Sequence, residues 1–130
     1  MDLTNPWIFL PVGYVITVLI ETPVLLVGLS RRHPTRDRLV AGLWLTACTY
    51  PIVVLVLPAW LVEMHGWSWG AYLVVAETFA PLAECALFWL AYGTREEWLR
   101  PSMWRDMVTV TLANLASFGI GEVLHYADVL

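Results

Sequence analysis

The sequence predicts an all-α polytopic membrane protein: a bundle of four transmembrane helices with short loops, both termini on the non-cytoplasmic side. Three observations predict it. The chain has 130 residues, 59% hydrophobic and 14% charged, with a mean hydropathy of +0.68, whereas an ordinary soluble domain is roughly half apolar and a quarter charged. The apolar residues collect in four runs, each near the roughly 20 residues that carry a helix across a ~30 Å hydrocarbon core. All seven basic residues are arginines, and they fall in two windows. This composition excludes a disordered chain and an ordinary cytosolic enzyme. A net charge of −4 provides no basic stripe for a phosphate backbone, so no nucleic-acid partner is expected. The length suits a single domain, residues 1–130.

The first predicted helix is 6–29 (PWIFLPVGYVITVLIETPVLLVGL), with Glu21 its only charge. The preceding MDLTN lacks a basic stretch, and no A-x-A site follows, so the run is expected to be retained rather than cleaved as a leader. The second is 39–61 and carries no charge. A helix of a soluble bundle needs a polar face, and this one has none. The third, 69–93, carries Glu77 and Glu84; the fourth, 107–126, carries Glu122 and His125. Spanning strands would need only about 10 residues and strict alternation, and in lipid only helices or closed barrels satisfy the backbone.

The arginines orient the bundle. Arg31, Arg32, Arg36 and Arg38 occupy the 30–38 loop; Arg95, Arg100 and Arg105 occupy 94–106. Positive loops stay cytoplasmic, so both windows face the cytoplasm, and the expected location is a membrane of the bacterial inner type. Trp7, Trp60, Trp67 and Trp69 on one side, and Trp98 and Trp104 on the other, suit interfacial belts. The 94–106 loop reads as a short amphipathic surface segment broken by Pro101. The two halves share features: Glu21 and Glu84 each precede an arginine loop, and Arg36-Asp37 and Arg105-Asp106 each precede the next helix. Two readings of these matches stay open: a parallel repeat about an axis along the membrane normal, or coincidence within a biased composition.

Carboxylates inside such runs are costly, roughly 2.5–3.5 kcal/mol for a central Asp, and are functional candidates by default. At about 1.5 Å per residue, Glu21 and Glu84 share a level in the inner half, whereas Glu77 and Glu122 lie in the outer half. Each helix has a polar or small face: Tyr14, Thr17, Glu21 and Gly28; Gly42, Thr46, Thr49 and Tyr50; Glu77 and Glu84; Asn114, Ser117, Gly121 and His125. Two layers are therefore predicted. The inner one is Glu21, Glu84, Asn114, Ser117, Thr46, Thr49 and Tyr50; the outer one is Glu77, Glu122, His125 and Tyr14. No Arg or Lys lies within a run, so the acids are expected to be protonated at rest unless water or a cation reaches them.

Pro23, Pro51, Pro58 and Pro81 interrupt helices, and each frees the carbonyl four residues earlier. For Pro81 that carbonyl belongs to Glu77. Pro51 and Pro58 read as simple kinks. Ala113, Ser117 and Gly121 form a small-residue stripe suited to close helix contact. Cys48 and Cys85 have no C-x-x-C spacing and read as small apolar residues. Glu122-Val-Leu-His125 is a single E-x-x-H; with Glu77 and His65 it outlines a metal site, and His125 is also a candidate axial ligand to a pigment or haem. As an interfacial histidine beside Tyr126 it needs neither. No G-x-S-x-G, P-loop, H-E-x-x-H or Gly-rich phosphate loop occurs, so the sequence specifies neither an enzyme class nor a cofactor.

In size and four-helix plan the chain resembles small multidrug transporters, fluoride channels and DsbB-type oxidoreductases. Glu21 is an analogue of the single first-helix Glu of small multidrug transporters, although its flanking ETPVLLVGL differs. The paired cysteines of DsbB are missing. Two functions are expected from the residues: a transporter or ion-conducting subunit handling protons or a cation through the buried glutamates, or an accessory subunit of a larger membrane complex that uses them as packing contacts. The lipid bilayer is the first partner; a homo-oligomer or other membrane subunits would complete a bundle this thin.

Overall fold

The structure, a computed structural model, describes residues 5–31, 33–92 and 101–127. They form four long helical rods and, among the described residues, no strands. Helix α1 spans Pro6–Gly28. Asn5 accepts a hydrogen bond from the Trp7 amide at 3.0 Å, and Pro6 at the first helical position loses nothing by lacking an N–H. Helix α2 spans Thr35–Pro51 and continues as wide π-type turns through Ile52–Val56 and Pro58–Met64. Gly66, with φ +69°, reverses the chain, and the Ser68 hydroxyl caps the next rod by accepting from the Ala71 amide. Helix α3 is Trp69–Tyr92 and α4 is Pro101–Tyr126. All four rods contain stretches long and apolar enough to cross a membrane.

Three expectations need correcting. The second rod begins at Thr35, not at 39, because Arg38 reaches back from inside the helix and donates to the carbonyls of Leu26, Ser30 and His33 at the end of α1. Pro101 does not break a surface segment. It opens α4, where its fixed φ suits a first turn; residues 93–100 lie outside the described residues. Pro51 and Pro58 do more than kink. After Pro51 the backbone ladder widens, with the Leu57 amide donating to the Ile52 carbonyl. In that register the Val53 carbonyl should receive the N–H of residue 58, which is proline and has none. The Tyr72 hydroxyl donates to it instead, at 2.6 Å.

The rods pack in a square: α1 and α3 each lie against both α2 and α4. Two apolar clusters hold it. One, near the arginine-bearing end, includes Leu25, Leu29, Leu45, Phe88 and Val110. The other, near the opposite end, joins Leu57 and Leu61 to Tyr72 and Ala76. Large apolar side chains on the outside stay uncovered, Val27 at 80% and Leu90 at 83%.

Side chains of a neighbouring helix fill the space beside Gly13, Gly28 and Gly42. A Cβ on Gly28 would stand 2.5 Å from Thr109 Cγ2, and one on Gly42 would stand 2.2 Å from Thr22 Oγ1. The predicted stripe is only partly used: Ala113 is buried, but a Cβ on Gly121 would meet open space.

Candidate functional site

Between the two apolar clusters lies a polar layer made by all four rods. Glu21 on α1 receives the Thr46 hydroxyl of α2 at 3.0 Å on one oxygen and the Ser117 hydroxyl of α4 at 2.6 Å on the other. Glu84 on α3 receives the Thr49 hydroxyl of α2 at 2.6 Å and the Asn114 amide of α4 at 2.7 Å. Each acid therefore ties its own helix to both neighbours, and both are almost fully buried, at 3% and 2% exposure.

The proton count of this layer is informative. The Thr49 hydroxyl also lies 3.1 Å from the Leu45 carbonyl, and Asn114 donates to the Val110 carbonyl at 3.0 Å. A hydroxyl has one proton and cannot serve two acceptors fully. A protonated Glu84 resolves this: its O–H donates to Thr49 Oγ1, Thr49 donates to Leu45, and the two Asn114 N–H groups go to Glu84 and Val110. Glu21 has the same choice, since Thr46 also faces the Gly42 carbonyl and Ser117 the Asn114 carbonyl.

The bonding pattern has the symmetry of a parallel repeat. Glu21 bonds position 46 in its own half and 117 in the other; Glu84 bonds 114 in its own half and 49 in the other. Exchange of the halves pairs Thr46 with Asn114 and Thr49 with Ser117, so the segment TACTYP matches NLASFG. This register sets Arg38, not Asp37, against Asp106. The same exchange sets Glu77 against Tyr14. There the symmetry ends, because the Tyr14 hydroxyl turns to the Leu43 carbonyl at 2.8 Å, whereas Glu77 has no hydrogen-bond partner among the described residues.

Glu77 faces a cavity of about 140 Å³ whose lining includes Glu21, Glu84, Thr49, Asn114 and Tyr50. It thus shares a chamber with the pair from which its depth had separated it. Thr46, Ser117 and Phe118 also border this chamber. A second cavity, about 350 Å³, shares Thr17, Tyr50, Val54, Ser117 and Phe118 with the first and runs toward the opposite end, past Tyr72 to Trp69 and Glu122. Among the described residues, neither cavity has a basic side chain in its lining. Tyr14 borders neither. The Tyr50 hydroxyl is buried without a partner, pressed against Gly13.

A metal centre does not assemble among the described residues: no three His, Cys, Asp or Glu side chains converge. His65 turns its Nδ1 to the Trp60 carbonyl at 2.7 Å, and the His125 side chain lies outside the described residues. Cys48 and Cys85 are unpaired thiols.

One cluster escaped the sequence reading. At the arginine end, Asp106 of α4 accepts from the Ser30 amide at 2.7 Å and the Ser30 hydroxyl at 3.0 Å, and lies 2.8 Å from His33 Nε2. Arg105 donates to the Gly28 carbonyl beside it at 2.9 Å. With the His33 ring against Phe88 and Tyr92, this knot closes the bundle below the apolar cluster. The chamber is thus walled off at the arginine end.

No known protein family, curated protein or solved structure matches the chain.

Proposed function

We propose that the chain is a small integral membrane protein that takes up a proton or a cation at Glu77, from the side opposite its arginine-rich loops. The observation that carries this reading is a chamber with three carboxyl groups, no basic side chain, and one acid with no hydrogen-bond partner among the described residues. Glu77 is free to exchange a proton for a cation without breaking a helix contact. Pro81, which returns no N–H to the Glu77 carbonyl, adds an acceptor beside the carboxyl. Positive loops favour a cytoplasmic arginine end with both termini on the other face. Passage across the membrane then requires the Ser30–His33–Asp106 knot to open, or a second copy or another subunit to complete the path.

An accessory, packing role is favoured by a different observation: both oxygens of Glu21 and of Glu84 are engaged by α2 and α4. The two readings separate in proteoliposomes. The purified chain is reconstituted, a pH gradient is imposed, and its decay is followed with an internal dye. Proton or cation handling predicts that Glu77→Gln folds normally and abolishes the protein-dependent flux. A packing role predicts no protein-dependent flux, with Glu84→Leu failing to assemble.

A further inference from the structure

We infer that the ligand taken up at Glu77 is a lipophilic organic monocation: an ammonium head carrying an apolar, ring-sized body. The inference rests on the proposed role of Glu77 and adds the chemical class. The larger cavity, about 350 Å³, is walled by Phe9, Tyr50, Trp69, Tyr72 and Phe118, with Ile16 and Ile20 between them. Its volume falls within the range of small-molecule pockets, roughly 300–1,000 Å³, which are mostly apolar with a few placed polar groups. It adjoins the acidic chamber of about 140 Å³, with which it shares five lining residues. A cavity of about 150 Å³ holds one benzene ring, so the deep chamber has room for a compact ammonium head and the outer one for a ring.

The wall chemistry selects among ligand classes. Glu77 and Glu122, with no opposing base in either lining among the described residues, reject anions. A hard metal cation wants about six oxygens around it, and the outer cavity provides aromatic carbon instead. A neutral apolar molecule would leave the carboxyl of Glu77 unmatched. A cation with an organic body uses both parts, since aromatic faces attract ammonium groups as well as apolar surface.

The test is equilibrium dialysis of radiolabelled benzyltrimethylammonium against the full chain in nanodiscs, with empty nanodiscs subtracted. Saturable binding is expected. Tetramethylammonium, which lacks the ring, and N,N-dimethylbenzamide, which lacks the charge, should each compete about tenfold less well, and benzoate should not compete. Glu77→Gln should weaken binding about tenfold, and Phe118→Leu, which keeps an apolar side chain but loses the ring, should weaken it several-fold. Absence of saturable binding, equal competition by tetramethylammonium or dimethylbenzamide, or full affinity in Glu77→Gln would overturn the inference. If dialysis fails while Glu77-dependent flux persists in proteoliposomes, the ligand class falls and the proton or inorganic-cation reading stands. If both fail, both fall.

Discussion

Replacing Glu84 by Leu and by Gln should have very different consequences, and the structure sets the size of each. Leu removes two interhelical hydrogen bonds, to Thr49 at 2.6 Å and Asn114 at 2.7 Å. Such bonds within membranes average about 0.6 kcal/mol and reach about 1.7 kcal/mol, so the loss is roughly 1–3 kcal/mol. It stays in that range because Thr49 and Asn114 keep acceptors in their own helices, the Leu45 and Val110 carbonyls. Gln should cost under about 1 kcal/mol, because its amide reproduces the neutral acid, donating to Thr49 and accepting from Asn114. Glu77→Leu should be neutral or stabilising, since no hydrogen bond is lost and a half-buried polar group is removed. Equilibrium unfolding in mixed micelles, followed by circular dichroism, reads all three. Equal stability of Glu84→Leu and the parent, or a Glu77→Leu loss as large as that of Glu84→Leu, would refute the division into bridging and free acids.

Three further outcomes follow from the same geometry. Gly28→Ala should destabilise by about 1–3 kcal/mol through overpacking on Thr109, with recovery when Thr109→Ala is added, whereas Gly121→Ala should change little; thermal unfolding monitors both. Asp106→Asn should cost roughly 1–3 kcal/mol, because the amide nitrogen that replaces Oδ2 cannot accept from the Ser30 hydroxyl, while Oδ1 keeps the Ser30 amide; thermal unfolding reads this loss too. Binding of benzyltrimethylammonium should weaken as pH falls, because protons compete with the cation for the Glu77 carboxyl, and dialysis across a pH series should lose this dependence in Glu77→Gln.

Much of this arrangement is legible in the chain itself. Helix rise alone places Glu21 and Glu84 at one level, and polar stripes at helical spacing identify Thr46, Thr49, Asn114 and Ser117 as their partners. Counting depth from the helix ends set Glu77 apart from that layer, because depth does not reveal a cavity that runs lengthwise along α3. Asp106 looks like a solvated loop acid when Arg105 precedes it. Its contact with Ser30 spans 76 residues, and no local periodicity encodes such a distance. The wide turns after Pro51 depend on a tyrosine one rod away, so the proline alone reads as a kink. Glycine contacts likewise depend on what faces them: Gly28 meets Thr109, Gly121 meets nothing.

The most direct test of the account is infrared difference spectroscopy of the reconstituted chain, following the carbonyl stretch of protonated carboxyl groups as benzyltrimethylammonium is added. Loss of one carboxyl band is expected on binding, a change that Glu77→Gln abolishes and Glu84→Gln retains. A band that is lost equally in Glu77→Gln, or that vanishes in Glu84→Gln, would contradict it.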